Sequence, residues 1–485
     1  MKLSVASDYK NKKIVRVIFA DDKSIPDLKC GIKVKNTDDI PVHGIQYFNG
    51  DQNEVIFIPG ENSILLCGTG DLLKLTPESL RNCGASAVAA AMGRKINELA
   101  VIIPLLNKFT PEQTLQYIAE GMTLANYRFD RYKTPDRKSE KPVDKIIFIS
   151  RAKDAESIIS ITEIICKNTF LCRDMINETS DAINPVSFAK RAADISKKSG
   201  LKCSALDMKD IVREKMGLLL AVNRGSAIEP RVVKLEYKGD QKNKKVLGII
   251  GKGITFDSGG MNLKPSASME TMRCDMSGAA TVLCMMKSLA ELKVRKNVTA
   301  VIPLTENMLS NNAYRPGDIF RSYSGKTVEI GNTDAEGRLI LADAIAYMEK
   351  EVKPEFIVDM ATLTGACVVT FGETVAAYLS TDDKLAAAVE SASAETGEKL
   401  WRLPFFDDYE DRMKSEIADL SNMSSEKNAG TIAGAVFLKK FIGKTPWLHI
   451  DIAGTAWYSK ARGYRPKNAT GYGLRLLVNM IQNWK

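Results

Sequence analysis

The chain has 485 residues, too many for one compact core, so its length predicts two domains. Its hydrophobic fraction of 45% and charged fraction of 26% are typical of globular proteins and exclude a wholly disordered chain. The net charge of +9 is spread widely, and the short basic clusters at 10–13 and 242–245 lack interleaved aromatic side chains. This charge permits weak attraction to anions but does not favour a nucleic-acid-binding surface.

The cysteines and the apolar segments indicate the compartment. The nine cysteines are an odd number without any CxxC spacing, which argues against a zinc knuckle or a redox motif. Several lie in apolar surroundings, as free cysteines do in a reducing compartment. The N-terminal stretch lacks the apolar core of a signal peptide, and no apolar run approaches the ~20 residues that cross a bilayer. We therefore expect a cytoplasmic protein that does not associate with membranes.

The first third of the chain has the pattern of an α/β unit. Helices are predicted to begin at Thr76-Pro77 and Thr110-Pro111, because each pair combines a capping threonine with a proline in the first helical turn. A polar, proline-containing loop is predicted at 133–145. Short apolar runs predict strands at 14–19, 55–58, 99–104 and 146–150.

A helical pattern at 154–177 follows, and beyond it strands and helices alternate. The predicted strands are 246–250, 298–304, 327–330, 356–361 and 448–452. Helices are predicted after Asp275 and after Arg338. This alternation favours a central, mainly parallel sheet flanked by helices. We predict a smaller N-terminal α/β domain at 1–153, a connecting helix at 154–177 and a larger C-terminal domain at 178–485.

Histidine is too rare for a histidine-rich zinc site, because the chain has only His43 and His449. His449 lies within an apolar strand pattern, which favours a buried core histidine. A Ser–His–Asp triad would need one of these two residues, and no G-x-S-x-G turn accompanies either.

The carboxylates are more informative. Asp257 is predicted in a glycine-containing loop just past the buried strand 246–250, where ligands of open α/β sheets bind. Asp334, Glu336 and Arg338 are spaced by two residues, so an extended backbone would put all three on one face. Three charges beside apolar elements are costly to bury unless a cation compensates them. The alternative is a surface turn whose internal ion pair caps the next helix.

Three blocks resemble a known family. The segment 332–339, Asn-Thr-Asp-Ala-Glu-Gly-Arg-Leu, is similar to the signature octapeptide of the leucyl aminopeptidases, the M17 cytosol aminopeptidases. Segments 251–264 and 273–280 resemble the two metal-ligand loops of that family. Further similar blocks lie at 216–226, 314–318, 359–365 and 449–455, so the resemblance covers about 177 to the C-terminus. Before residue 177 it is loose, and strongest around 121–133.

Carried over residue by residue, the resemblance implies a site for two divalent metal ions. The implied ligands are Lys252, Asp257, Asp275, Asp334 and Glu336, with Asp257 and Glu336 bridging. Lys264 and Arg338 would be catalytic residues that do not bind metal. The implied substrate-binding residues are Lys252, Asp257, Lys264, Asp275, Asp334, Thr362, Leu363 and Gly365.

Charge is consistent with this implied site. Four carboxylates balance two divalent ions only if Lys252 is a neutral amine, and two adjacent cations would lower its pKa to that effect. Ligation rich in oxygen leaves Zn, Mn, Mg and Co open.

The implied activity is hydrolysis of the N-terminal peptide bond of peptides by a water that two metals activate, with leucine-like apolar first residues preferred. Lys264 would stabilise the oxyanion, and Arg338 would hold a bicarbonate ion that transfers the proton. The family also implies a homohexamer.

Two other hypotheses are an oligomeric binding protein that contacts DNA and a relative without catalysis. The second needs a missing ligand or catalytic group, whereas all seven positions are filled. Five residues look unusual for the family without removing a ligand: Asn223, Met261, Asn262, Cys274 and Ser277.

Overall fold

The computed structural model describes residues 1–6, 14–21, 45, 47–61, 63–137 and 141–485. These residues form two compact units, Met1–Phe170 with Lys460–Lys467 and Leu171–Ser459 with Asn468–Lys485. The boundary falls inside a 23-residue helix, Ala155–Asn177. The division 1–153, 154–177 and 178–485 remains a proposal, and it differs from the compact units in the segment 460–467, which packs with the first unit.

The first unit is built on a six-stranded sheet in the order β1-β6-β5-β2-β4-β3. Its strands are β1 Lys2–Ala6, β2 Val15–Ala20, β3 Val55–Ile58, β4 Ile64–Gly68, β5 Glu98–Ile102 and β6 Lys145–Ile149. All neighbours are parallel except β3 and β4. Helices α1 Pro77–Gly93 and α2 Pro111–Ala125 belong to this unit, and α3 is Ala155–Asn177. Strands β1 and β4 were not predicted from the sequence.

The two predicted helix starts are confirmed at the level of hydrogen bonds. The Thr76 hydroxyl accepts a hydrogen bond from the backbone N–H of Ser79, and the Ser79 hydroxyl accepts one from the backbone N–H of Thr76. Pro77 is the first residue of the helix. Thr110 and Gln113 form the same reciprocal cap at α2. These caps satisfy backbone donors that a helix start leaves unpaired.

The second unit is built on a nine-stranded sheet in the order β16-β15-β18-β14-β9-β11-β8-β7, with β10 paired to β11. Its strands are β7 Lys202–Leu206, β8 Arg231–Lys238, β9 Leu247–Gly251, β10 Gly253–Asp257, β11 Asn297–Asn307, β14 Ile357–Ala361, β15 Ala376–Ser380, β16 Leu400–Arg402 and β18 Trp447–Asp451. The central strands β18, β14, β9 and β11 are parallel, and antiparallel pairs lie toward both edges. The predicted mainly parallel sheet is confirmed.

Ten helices and two small sheets complete the described part of this unit. The helices are α4 Pro185–Ser199, α5 Met208–Arg213, α6 Gly217–Asn223, α7 Ser266–Met269, α8 Ser277–Glu291, α9 Glu336–Tyr347, α10 Gly365–Phe371, α11 Asp383–Thr396, α12 Gly430–Lys439 and α13 Leu474–Asn483. The small sheets contain β12 Ile319–Arg321, β13 Thr327–Glu329, β17 Leu420–Ser421, β19 Trp457–Tyr458 and β20 Asn468–Ala469. Helices α8 and α9 pack on β9, β11 and β14 and bury the parallel strands.

Two local expectations are wrong. Asp257 is not in a loop after the strand 246–250, because a second strand, β10, follows and ends at Asp257. The segment from Asp334 to Arg338 is not extended, because α9 begins at Glu336. In a helix, side chains two residues apart are rotated by about 200° about the helix axis, so Glu336 and Arg338 point in different directions.

Among the described residues, no helix combines the length and the apolarity needed to cross a membrane.

A buried carboxylate joins α9 to α6. Asp343 of α9 accepts hydrogen bonds from the backbone N–H groups of Leu218 (2.9 Å), Leu219 (3.0 Å) and Tyr323 (2.7 Å). Met216, which precedes α6, makes no side-chain cap, so Asp343 supplies the acceptor for that helix start. Burial raises the pKa of Asp343 to about 7, and the three backbone donors oppose this rise.

We expect Asp343→Asn to lower the unfolding free energy by about 1–3 kcal/mol, because its NH₂ group would face a backbone donor and leave it unpaired. Urea unfolding followed by circular dichroism measures the change. Asp382→Asn is the control: Asp382 accepts from the N–H of Leu385 at the start of α11. Asparagine caps as well as aspartate, so this change should cost below about 1 kcal/mol. Equal midpoints for wild type and Asp343→Asn would contradict the assigned role.

Candidate active site

The predicted site residues lie at the carboxyl ends of the central strands in the second unit. Asp257 ends β10, Lys252 follows β9 and Thr362 follows β14. Asp275 lies in a 3₁₀ turn before α8, and Glu336 is the first residue of α9. This edge is where open α/β sheets bind ligands.

Lys252 is buried between two carboxylates. Its Nζ lies 2.9 Å from Asp275 Oδ1 and 2.9 Å from Glu336 Oε1, and it donates to the carbonyl of Thr362 at 2.7 Å. The side chain is 2% exposed. A Cβ on Gly337 would lie 2.5 Å from this Nζ, so glycine at 337 leaves the room that the lysine occupies.

Lys264 forms a second bridge between carboxylates. Its Nζ lies 2.8 Å from Asp257 Oδ2 and 2.6 Å from Asp334 Oδ1. The loop from Asp257 to Lys264 turns through Gly259 (φ +87°) and Gly260 (φ +65°), a backbone conformation that other residues adopt with strain. Lys264 is 15% exposed, so this lysine is accessible to solvent whereas Lys252 is enclosed.

Burial and the neighbouring charges shift the pKa values of these groups. Burial raises the pKa of Asp257 above its usual value, and the neighbouring Glu336 adds to this rise. Burial also raises the pKa of Asp275. Burial alone would lower the pKa of Lys252, but attraction by Asp275 and Glu336 raises it above its usual value. Four carboxyl groups thus share two ammonium groups, and the raised pKa values of Asp257 and Asp275 show that the lysines alone do not compensate the negative charge of four ionised acids.

The donor set fits divalent metal ions. Oxygen atoms of Asp257, Asp334 and Glu336 lie within 4.8 Å of one another. Asp275 Oδ2 and Glu336 Oε2 are buried and have no hydrogen-bond partner among the described residues. A buried carboxylate oxygen without a partner is costly, and a cation would satisfy it. Oxygen-rich ligation suits Mg, Mn and Zn.

These groups open into a pocket of about 320 Å³. The carboxylates and the two lysines line it. Its apolar lining residues, here called the apolar wall, are Met272 of the 3₁₀ turn before α8, Leu363 after β14, Val368 of α10 and Ala453 after β18. The pocket includes every predicted site residue except Arg338: Lys252, Asp257, Lys264, Asp275, Asp334, Glu336, Thr362, Leu363 and Gly365, with Met272, Val368 and Ala453 among the others.

Arg338 does not line the pocket and lies near Leu363 of the apolar wall. Its Nη1 donates to the carbonyl of Asn422 at 2.8 Å, and its buried Nε has no partner among the described residues. A Cβ on Gly434 would lie 3.1 Å from Leu363 Cδ2 and 3.6 Å from Arg338 Nη2, which places the guanidinium beside Leu363. Burial lowers the pKa of Arg338 to about 10, so the group remains charged at neutral pH.

Three residues without a predicted role hold this site in place: Asn307, Asp451 and Thr333. Asn307, the last residue of β11, donates to Asp257 Oδ1 (2.8 Å) and to the carbonyl of Thr333 (3.0 Å). Asp451, the last residue of β18, accepts from the N–H of Leu363 and from the hydroxyl of Thr364. Asp451 was a polar residue near the end of the predicted strand 448–452, which was the signal available, whereas Asn307 lies three residues beyond the predicted strand 298–304.

Thr333 joins the two acidic loops. Its hydroxyl donates to the carbonyl of Gly259 at 2.6 Å and accepts from the N–H of Asn262 at 2.8 Å, and its own N–H donates to Asn262 Oδ1. The unusual residue Asn262 therefore contributes to a clasp between the loop that carries Lys264 and the loop that carries Asp334.

The other unusual residues have structural contacts. Asn223 donates to Thr305 and to the carbonyl of Ile228, and the Ser277 hydroxyl donates to the carbonyl of Cys274. Burial raises the pKa of Cys274 to about 12, which keeps the thiol protonated. Met261 is 44% exposed.

The predicted core histidine is confirmed. His449 is fully buried, and its Nδ1 lies 2.6 Å from Asp359 Oδ1. His43 and the basic cluster 10–13 lie outside the described residues.

Comparisons with known proteins agree with the site. The family model described as "Cytosol aminopeptidase family, catalytic domain" matches residues 170–478, and that described as "Cytosol aminopeptidase family, N-terminal domain" matches 47–136. A relative from Protochlamydia amoebophila, named "Probable cytosol aminopeptidase", is 41% identical over 443 residues, which are 90% of this chain and 89% of the relative. A relative from Chlamydia trachomatis with the same name is 40% identical, with 91% and 90% covered.

Solved structures add a likeness over both units. The bottromycin maturation enzyme BotP is 29% identical, with a TM-score of 0.86 over 96% of this chain and 98% of BotP. A structure of BotP in complex with Mn has a TM-score of 0.85 at 29% identity, with 98% and 99% covered. The chain therefore belongs to the cytosol aminopeptidase family, the M17 metallo-aminopeptidases.

Proposed function

We propose that this metallo-aminopeptidase is a leucyl aminopeptidase that binds two divalent metal ions and removes leucine-like apolar first residues from peptides. The observation that carries the proposal is the buried cluster of four carboxylates around two lysines, whose negative charge exceeds what the lysines neutralise. The complex of BotP with Mn supports a divalent ion in this fold.

The proposed ligands are Lys252, Asp257, Asp275, Asp334 and Glu336. When bound, two divalent ions supply Lewis acidity that activates a water molecule and polarises the scissile carbonyl. Lys252 would contribute a neutral amine, because nearby cations lower the pKa that Asp275 and Glu336 otherwise raise. Zn, Mn, Mg and Co all suit this donor set.

Lys264 is proposed to stabilise the developing oxyanion. It lines the pocket, it is the more accessible of the two lysines, and its pKa is raised by Asp257 and Glu336 against the lowering effect of burial. The ammonium group therefore stays charged at neutral pH and can donate to an oxygen that gains charge.

Arg338 is proposed to hold a bicarbonate ion, which would supply an acid–base group for proton transfer between the attacking water and the leaving amine. One terminal nitrogen is anchored on Asn422, while the buried Nε has no partner among the described residues. A guanidinium with unused N–H groups suits a small planar oxyanion.

The side chain of the first substrate residue is proposed to lie against the apolar wall. Met272, Leu363, Val368 and Ala453 line this side of the pocket. A leucine side chain would bury its methyl groups there, whereas a carboxylate would meet the acidic cluster.

We also propose a cytoplasmic homohexamer. The buried free cysteines support a reducing compartment, and the names of the relatives refer to the cytosol. The proposal of a hexamer rests on the family resemblance. Light scattering would measure the molar mass of the particle and so test it.

Metal binding should stabilise the fold, because the ions bind the native carboxylate cluster only. With free Mn or Zn at a hundred times its dissociation constant, the gain is about 2.7 kcal/mol per site. Differential scanning calorimetry with metal and with chelator measures it. Asp257→Asn with Glu336→Gln should abolish the gain, and the exposed Asp411→Asn should keep it. Identical melting of wild type with and without metal would contradict the metal site.

Lys264→Ala and Arg338→Ala should each lower kcat on leucine anilide by roughly 100- to 1,000-fold, since each removes stabilisation made in the transition state. Metal content measured by mass spectrometry should stay at the wild-type value. Lys245→Ala, which changes an exposed lysine paired with Glu355, serves as the control. Loss of metal in either active-site variant would refute the assignment of that residue as a non-ligand.

The apolar wall predicts a substrate preference. We expect kcat/KM for leucine anilide to exceed that for alanine anilide by roughly 10- to 200-fold, the range for lost apolar contacts in a pocket. The aspartate anilide should be poorer still, because its carboxylate approaches four others. Steady-state kinetics on the three anilides measures this order, and equal values for leucine and aspartate would contradict it.

A further inference from the structure

Asn422 lies outside every motif identified in the sequence, yet it is fully buried beside the loop that carries Asp334. Its Oδ1 accepts from the N–H groups of Gly331 (2.8 Å) and Asn332 (3.2 Å). Its Nδ2 donates to the carbonyls of Asn332 (2.8 Å) and Ala335 (3.5 Å). Two donors face the oxygen and two acceptors face the nitrogen, so the surroundings select an amide.

This amide continues toward a proposed metal ligand. Asn332, whose backbone is held on both sides by Asn422, accepts with its own side chain from the N–H of Asp334 at 2.7 Å. The two asparagines therefore fix the turn between β13 and α9, from which Asp334 and Glu336 project.

The backbone of Asn422 acts on a different residue. Its carbonyl accepts from Arg338 Nη1 at 2.8 Å, the one hydrogen bond of this guanidinium observed within the described residues. Its N–H donates to the carbonyl of Glu329 at 3.0 Å, next to the pairing of β17 with β13. Because the side chain is locked to the loop 331–335, the carbonyl that anchors Arg338 has a fixed position relative to Asp334.

We propose that Asn422 is a positioning residue that sets the orientation of the Arg338 guanidinium relative to the acidic cluster. The inference rests on the proposed function, because it assigns Asn422 to the step that Arg338 serves. With Nη1 held by the Asn422 carbonyl, Nε and Nη2 are the nitrogens left to bind an oxyanion. A shift of the carbonyl would turn the fork away from the reacting groups.

The substitution Asn422→Asp tests this with a side chain of the same shape. The second carboxylate oxygen would face the carbonyls of Asn332 and Ala335 and repel them, so the side chain of residue 422 would lose these hydrogen bonds to the loop 331–335. The backbone carbonyl that Arg338 contacts is present in both proteins. Asn422→Ala is the second variant, which removes the side-chain hydrogen bonds to the loop 331–335 without adding charge. We expect kcat to fall roughly 10- to 100-fold in both, as for other residues that orient a reactive group. Because the same turn carries Asp334, kcat is measured at saturating metal, where KM and bound metal should stay within about two-fold of wild type.

Asn297 provides the matched control. It is also a buried asparagine of the second unit, at the start of β11, and its side chain bonds the backbone of Asp240 (3.0 and 2.9 Å) and the carbonyl of Asn243 (2.6 Å). Asn297→Asp should lower the melting temperature by a comparable amount and leave kcat per folded molecule unchanged. A general loss of stability would affect both positions alike, whereas a positioning effect appears at Asn422 alone.

A double-mutant cycle with Arg338→Ala provides the decisive readout. If Asn422 acts through Arg338, then Asn422→Asp or Asn422→Ala in the Arg338→Ala background should lower kcat by less than about three-fold further. Multiplying losses in the cycle would overturn the proposal. So would normal kcat in the single variants, or a loss of rate that follows the folded fraction as at Asn297. A wild-type protein inactive on all anilides would instead refute the proposed function.

Discussion

The site depends on electrostatic compensation between buried carboxylates and buried cations. Four acidic groups converge from three chain segments, and each would be costly to bury alone. Lys252 and Lys264 each bridge two of them at 2.6–2.9 Å, so the protein supplies half of the positive charge. The carboxylates that the lysines do not compensate, and the unpaired oxygens of Asp275 and Glu336, are the features that fit divalent ions.

The architecture brings these charges together without strain on the sheet. Parallel strands have their carboxyl ends on one edge, so β9, β10, β11 and β14 all deliver polar residues to the same place. Asn307 and Thr333 then connect neighbouring strand ends by hydrogen bonds. Ligands that are fixed before the metal binds lose little conformational freedom on binding, which is the condition for a preorganised centre.

The pocket brings charged and apolar side chains together. In the proposed function, the charged groups bind the backbone atoms of the substrate, and the apolar side chains bind its first side chain. Asp451 holds the turn after β14 through Leu363 and Thr364, so a residue at the end of β18 determines the position of the apolar wall. Changes in specificity can therefore arise at this wall without any change in the charged groups.

The sequence alone determined the elements and the family. Apolar runs of strand length, threonine–proline helix starts and an octapeptide with correctly spaced acidic residues are all local signals, and a local signal is readable along the chain. They predicted a mainly parallel sheet flanked by helices and the family that the comparisons establish. Length does not explain why β4 and β10 were not predicted, because strands as short as these were predicted at 55–58 and 246–250; β10 begins two residues after β9 ends, so the glycine-rich segment 251–260 has the pattern of a loop.

The tertiary structure decided which residues touch. Lys252 contacts Glu336, and Arg338 contacts Asn422. The two residues of each pair are 84 positions apart in the sequence, and no local pattern predicts such a contact. The start of α9 at Glu336 likewise puts Glu336 and Arg338 on different sides of a helix, although an extended backbone would have put them on one face. The physical reason is that side-chain contacts depend on the path of the whole backbone, whereas composition and periodicity report only on neighbours in sequence.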